Sequence, residues 1–306
     1  MGPTATGKTD VAIELRERYP FDIISVDSAL VYRYMNIGTA KPDADTLQRA
    51  PHQLVDIRDP EEAYSAGDFV RDATAAMRAS FANGRIPLLA GGTMMYFRAL
   101  TQGIAGLPSG DAAVRERIDE QAAAQGWPAM HARLMEVDPQ AAERIKPNDS
   151  QRIQRALEVF EISGRSLSEW HASAPANEPS ADIAFLKIAL DVEDRALLHK
   201  RIEQRLDLMF SNGFVAEVTE LKARPGLDRD MPSMRAVGYR QVWAHLEGES
   251  TLEECRYRAL VATRQLAKRQ FTWLRSESEL FSVNALEPAK VDAISAFLET
   301  KHPILG

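Results

Sequence analysis

The segment Gly2-Pro3-Thr4-Ala5-Thr6-Gly7-Lys8-Thr9 satisfies G-x-x-x-x-G-K-[ST] at every fixed position. No other stretch restricts the fold as much, because such a loop cradles phosphate only when it opens directly into a helix. Its glycines let backbone N–H groups turn toward phosphate oxygens. Lys8 supplies a point charge and Thr9 offers a hydroxyl to Mg²⁺, while the following helix adds the positive end of its dipole. A chance glycine-rich turn is the bland alternative. The helix reading of Asp10–Tyr19 and the strands further on weigh against it. The motif specifies a phosphate without saying which.

Phe21–Val26 (FDIISV) is a short apolar, β-rich run and reads as a buried strand. Leu54–Ile57 is a weaker strand prediction. Ala66–Asn83 carries apolar residues about four apart and reads as a helix stopped by Gly84. Ile86–Ala90 is another apolar strand, ending in Gly91-Gly92-Thr93 and then a helix from about Met95. Strand, glycine turn and helix in alternation predict an α/β fold: a P-loop NTPase-like parallel sheet flanked by helices, with ligands at the carboxyl ends of its strands.

From Ala112 strand patterns vanish. Helices are predicted over Ala112–Gln125, Trp127–Val137, Gln140–Ile145 and Ser150–Ser163, followed by a polar loop at Ala174–Asp182. This predicts an all-helical insertion domain over 112–182, between core segments 1–111 and 183–306. Phe185–Leu190 and Leu280–Val283 read as strands. Arg195–Asn212, Phe214–Ala223, Ser233–Leu246, Thr251–Leu274 and Pro288–Thr300 read as helices.

A single cysteine, Cys255, excludes an intramolecular disulfide and any multi-cysteine metal site. No signal peptide or long apolar span is evident, so the chain reads as cytoplasmic, with no membrane partner. The net charge of -7 argues mildly against nucleic acid. Binding follows local patches, however. Between Met231 and Arg275, eight basic residues face four glutamates, so positive charge is concentrated near one end.

Asp27 closes the Phe21–Val26 strand at the edge of the sheet that holds the phosphate loop. It reads equally as a proton acceptor or metal-water holder and as a turn-forming cap. Gly91-Gly92-Thr93 reads as a substrate-approach turn or as an ordinary strand-to-helix turn. No Walker-B acid ends that strand, which disfavours a conventional NTPase. Arg235 and Arg240 flank Ala-Val-Gly-Tyr. Arg264, Lys268, Arg269 and Arg275 recur on one long helix with Gln265, Phe271 and Trp273 between them. Such a mixture suits RNA phosphates and bases, or forms a solvated face. Arg152 and Arg155 pose the same choice. The histidines show no ligand spacing and read as structural or exposed.

Several long segments together resemble the bacterial tRNA dimethylallyltransferase (tRNA isopentenyltransferase) family. They are GPTATGKT at 2–9, ISVDSALVYRYMNIGTAKP at 24–42, PHQLVDIRDPEEAYSAGDF at 51–69 and GRIPLLAGGTMMYF at 84–97. NDSQRIQRALEVFEISG at 148–164, MRAVGYRQVW at 234–243 and ATRQLAKRQFTWLR at 262–275 continue the series. The resemblance implies Mg²⁺-assisted transfer of a dimethylallyl group from dimethylallyl diphosphate to N6 of the adenosine 3′ of the tRNA anticodon. Asp27 would be the base, Gly2–Thr9 (Gly2, Pro3, Thr4, Ala5, Thr6, Gly7, Lys8, Thr9) the diphosphate grip, and Arg235 with Lys8 the stabilisers of leaving pyrophosphate. Asp27, Ser28, Ala29, Leu30, Thr93, Arg115, Gln151, Arg152, Ile153, Gln154 and Arg155 align with tRNA contacts. So do Arg235, Ala236, Val237, Gly238, Tyr239, Arg240, Lys268, Arg269, Gln270, Phe271, Thr272, Trp273, Leu274 and Arg275. The helical insertion would meet the anticodon stem-loop, and a monomer is the expected assembly. An adenylate isopentenyltransferase, a P-loop small-molecule kinase and a non-catalytic RNA-binding protein are the competing readings. The family carries an apolar strand just before the phosphate loop, whereas this chain begins at Met1-Gly2. A sheet without that strand is expected to expose edges and to be poorly stable or inactive.

Overall fold

The computed structural model describes residues 1–103, 106–173 and 183–301, so the polar loop expected at 174–182 lies outside the described residues. The chain divides into two compact units, Met1–Leu100 with Ile183–Gly306, and Thr101–Asp182.

The first unit is a mixed α/β body. Helix α1 (Lys8–Arg18) follows the N-terminal loop, and β1 (Phe21–Val26) follows α1. Then come α2 (Ala44–Arg49), β2 (His52–Gln53), α3 (Ala66–Ala82), β3 (Ile86–Gly91) and α4 (Met94–Gln102). The strands are parallel in the order β2-β1-β3, with Phe21 opposite Ile86 and Val26 opposite Gly91. β1 is apolar on both faces because both are covered, as parallel sheets require. Ile23 packs with Ala12 and Ile13 of α1, and Ile24 and Val26 join a core with Phe69, Met77 and Phe97.

α3 starts where Ser65 and Asp68 cap each other reciprocally. The strand predicted at Leu54–Ile57 is instead β2, two residues earlier. Leu54 and Asp56 adopt positive φ, 63° and 56°, which no ladder accepts.

Among its described residues the second unit has only helices: α5 (Ala112–Gln125), α6 (Trp127–Val137), α7 (Pro139–Arg144), α8 (Ser150–Ser163) and α9 (Leu167–Ser173). Ile118, Leu134, Ile153 and Leu157 form its core. It begins before the predicted residue 112, because the approach to α5 is fastened to α8. The Asp111 amide donates to Glu158 Oε1 at 2.9 Å and Arg155 donates to the Pro108 carbonyl at 2.8 Å.

The chain then returns to the first unit with β4 (Lys187–Asp191), α10 (Arg195–Ser211), α11 (Phe214–Lys222), α12 (Tyr239–Leu246), α13 (Leu252–Leu274), β5 (Leu280–Asn284) and α14 (Lys290–Lys301). β4 and β5 pair in parallel as a second sheet. The Met1 amine donates to the Ile188 carbonyl at 2.7 Å and the Met1 carbonyl accepts from Leu190 N at 2.9 Å, the pattern of one parallel rung beside β4. The helix predicted from Ser233 starts only at Tyr239. Residues 231–238 form turns, fixed in part by Ser233 Oγ donating to the Pro60 carbonyl at 2.6 Å.

Candidate active site

The N-terminal loop, the ends of β1 and β3, and helices α10 and α13 enclose a pocket of about 400 Å³. Its wall includes Thr4, Ala5, Asp27, Ser28, Ala29, Thr39, Gly92, Thr93, Arg205, Arg235, Arg269, Gln270 and Trp273.

The loop is wound tightly on itself. Gly7 sits at φ 79°, where a side chain would be strained, and leads into Lys8, the first residue of α1. Thr6 Oγ1 and Lys8 Nζ both donate to the Pro3 carbonyl, at 2.8 and 2.6 Å. Gly2 and Pro3 are buried and form the loop's base, while Thr4 and Ala5 face the pocket. Arg201 Nε braces the loop from outside, donating to the Ala5 carbonyl at 3.0 Å. Burial lowers Lys8 to about 8; the charge of Asp27 raises it and that of Arg205 lowers it further.

The two glycines at the end of β3, Gly91 and Gly92, are there for close approach. A Cβ on Gly91 would lie 2.1 Å from the Val26 carbonyl oxygen, and one on Gly92 would lie 2.6 Å from Gln270 Nε2. Gln270 uses the space: its Oε1 accepts from Thr4 N at 2.8 Å and its Nε2 donates to the Gly92 carbonyl at 2.8 Å. One buried amide therefore ties the loop to the end of β3.

Asp27 serves both readings left open by sequence. Oδ1 accepts from Ala29 N at 2.8 Å and Leu30 N at 3.3 Å, forming a turn. Oδ2 accepts no hydrogen bond among the described residues, and Asp27 lines the pocket. Thr93 Oγ1 accepts from Ser28 N at 3.0 Å, joining the ends of β1 and β3.

Arg235 and Arg269 line the pocket, are exposed, and have no ion-pair partner among the described residues. Arg240, Lys268, Thr272 and Arg275 are exposed and Trp273 is partly so, while Ala236 and Val237 line the pocket. In the helical unit, Gln151 and Arg152 are exposed and Gln154 donates to Asp119 at 2.7 Å. Arg115 and Arg155 both bond the buried Glu158 carboxylate, at 2.7 and 2.6 Å, and keep part of each guanidinium in solvent.

Six of the residues aligned with tRNA contacts are buried, and three of them, Gly238, Tyr239 and Gln270, line the pocket. Ile153 belongs to the core of the helical unit, and Phe271 and Leu274 face the cores beneath α13. Gly238 is buried below Phe214, and Tyr239 is buried with its hydroxyl donating to Glu217 at 2.6 Å. Gln270 is the loop tether described above.

Residues unmarked in sequence also build the site. Arg201 and Arg205 lie one turn apart on α10, a spacing that could have drawn attention to that face. Glu217 accepts the amides of Asn36, Ile37 and Gly38 at 2.7–3.1 Å and so shapes the turn leading to Thr39. The histidines behave as expected where described: His52, His131 and His245 each bond backbone carbonyls.

These features define an α/β protein with a cation-lined pocket at the carboxyl ends of parallel strands, where such folds place phosphorylated ligands. The family model described as IPP transferase matches residues 30–277. A tRNA dimethylallyltransferase of Thiobacillus denitrificans is 58% identical over 276 residues, which cover 90% of this chain and 87% of that protein. The chain belongs to the IPP transferase family. Among solved structures, the full-length tRNA isopentenylpyrophosphate transferase of Bacillus halodurans is 33% identical with a TM-score of 0.72, covering 99% of this chain and 95% of that one. A eukaryotic dimethylallyltransferase acting on tRNA shares the fold, with a TM-score of 0.80 at 23% identity, over 99% of this chain and 78% of that one. No helix among the described residues is long and apolar enough to cross a membrane.

Proposed function

We infer that this chain transfers the dimethylallyl group of dimethylallyl diphosphate to N6 of the adenosine adjacent to the 3′ side of the anticodon in tRNA, releasing pyrophosphate. The observation that carries the reading is the pocket itself. A carboxylate with an unengaged oxygen, Asp27, shares it with the loop that opens into α1 and with the Arg205 and Arg235 guanidiniums.

The atoms balance simply. The allylic C–O bond breaks and its electron pair stays on the departing pyrophosphate oxygen. The N6 lone pair forms the new C–N bond, and the N6 proton passes to Asp27 Oδ2. Conjugation with the ring makes N6 a weak nucleophile, so a positioned base matters. Charge develops on the leaving group, and Lys8, Arg235 and the amide at the start of α1 oppose it. The adenine must leave the anticodon stack to reach the pocket.

The loop acts as a P-loop that holds a leaving diphosphate.

Mg²⁺ fits the donors present. Thr9 offers a hydroxyl in the first turn of α1, and the Ser25 hydroxyl, buried on β1, has no hydrogen-bond partner. Oxygen donors in small number suit a Mg²⁺ that takes its other ligands from phosphate and water. When bound, the ion would neutralise charge on the diphosphate. Thr9 would hold it, and Asp27 would orient its water. Arg235, Arg240, Lys268, Arg269 and Arg275 are proposed for tRNA phosphates, and Arg115, Gln151, Arg152 and Arg155 as an RNA-facing set on the helical unit.

Replacing Asp27 with alanine tests the reading: transfer to tRNA should collapse, and an unchanged rate would contradict it.

A further inference from the structure

The pocket wall includes two turns from distant parts of the sequence. Gly38 and Thr39 come from the segment after β1, and Arg235, Ala236, Val237 and Gly238 from the segment before α12. One carboxylate touches both. Glu217, on α11, accepts with Oε2 from Asn36 N at 2.9 Å and Ile37 N at 2.7 Å. Its Oε1 accepts from Gly38 N at 3.1 Å and from the Tyr239 hydroxyl at 2.6 Å. A carboxylate has about four acceptor sites, and these donors take them all. Glu217 has none left for substrate or metal, so it can serve the reaction only through the residues it holds.

The packing around this carboxylate is close. Phe214 and Tyr239 are fully buried, and their rings meet edge to face with centroids 5.0 Å apart. Gly38 lies against both: a Cβ there would fall 2.1 Å from Phe214 Cε2 and 2.6 Å from Tyr239 Cε2. Burial, and then the charge of Glu217, push the Tyr239 phenol far above its ordinary value, so it remains a donor. The turn before Tyr239 is pinned at both ends. Ser233 Oγ donates to the Pro60 carbonyl at 2.6 Å on one side, and Tyr239 donates to Glu217 on the other. Arg235 stands between these anchors, lines the pocket and has no ion-pair partner among the described residues. The backbone of this turn therefore decides where its guanidinium can reach.

We propose that Glu217 is a positioning residue for the diphosphate subsite. Through the 36–38 amides and the Tyr239 hydroxyl it holds the two turns in register, and so places Arg235 against the leaving pyrophosphate. A charge held in place beforehand needs no rearrangement as negative charge develops. The proposal rests on the diphosphate-transfer reading above.

Mg²⁺-pyrophosphate titrated calorimetrically into the full chain tests it. The chains compared are wild type, Tyr239→Phe, Glu217→Gln, Arg235→Met and the two doubles that add Arg235→Met. Tyr239→Phe keeps the ring and the three amide bonds and removes only the link to the Arg235 turn. It should bind pyrophosphate about tenfold more weakly, the scale of one hydrogen bond to a charged group. Glu217→Gln turns an amide nitrogen toward N–H donors and should weaken binding at least as much. In the Arg235→Met background each change should move affinity less than about twofold, because the residue it acts through is gone. Equal fold-changes in the two backgrounds would make Glu217 structural only and overturn the proposal. Either single variant binding as wild type does would also overturn it. Should Glu217→Gln not fold, Tyr239→Phe and its double decide by the same comparison. Wild type failing to bind pyrophosphate, or Arg235→Met binding it as wild type does, would instead overturn the diphosphate reading beneath.

Discussion

Gln270 accepts the Thr4 amide at 2.8 Å, a bond that joins the last long helix of the chain to its first loop. The other end of the same side chain holds the Gly92 carbonyl, so both partners lose their bond if the amide is removed. Gln270→Leu should cost roughly 2–4 kcal/mol, the penalty of stranding a buried donor and a buried acceptor. Urea unfolding measures this. Steady-state rates should show the KM for dimethylallyl diphosphate rising more than kcat falls, because the loop is displaced while the base is untouched. A change confined to kcat would count against the tether.

Asp27→Asn separates the turn from the chemistry. The amide oxygen can still accept from Ala29 and Leu30, so the fold and pyrophosphate affinity should persist. The proton acceptor is gone, and single-turnover transfer should slow by about 10²–10⁴-fold. Equal losses in binding and rate would make Asp27 structural.

Lys8 links the site to pH. Its folded pKa is lowered from 10.5 to about 8, first by burial. Between those values the unfolded chain holds a proton that the folded chain has released. The Lys8 contribution to stability therefore rises with pH across that window, and below pH 8 the buried charge is a cost. Lys8→Met should be more resistant to urea than wild type at pH 7, with the difference shrinking as pH climbs above 8. Pyrophosphate needs the charged form, so wild-type affinity should weaken above pH 8 while Lys8→Arg stays flat. Titrations from pH 7 to 9.5 check both signs.

Much of the first unit was legible in sequence. FDIISV and IPLLA are apolar on both faces, and only a covered parallel sheet accepts such runs. The loop and Asp27 stood out because a motif and a strand end fix their places. Arg205 and Glu217 did not stand out: each looks like one more charge on an amphipathic helix, and its role comes from a fold that brings α10 and α11 to residues 4 and 36–39. The burial of Gln270, Tyr239 and Ile153 was hidden for the opposite reason. They sit in segments rich in charge, and which face of a helix is covered is decided by tertiary packing rather than by local composition.

The most direct test of the account is the transfer itself. The chain is incubated with labelled dimethylallyl diphosphate, Mg²⁺ and either tRNA or AMP, and the product is digested to nucleosides. The account predicts label in tRNA, on N6 of the adenosine following the anticodon, with stoichiometric pyrophosphate release. Label in AMP alone, or pyrophosphate release without label in tRNA, would contradict it.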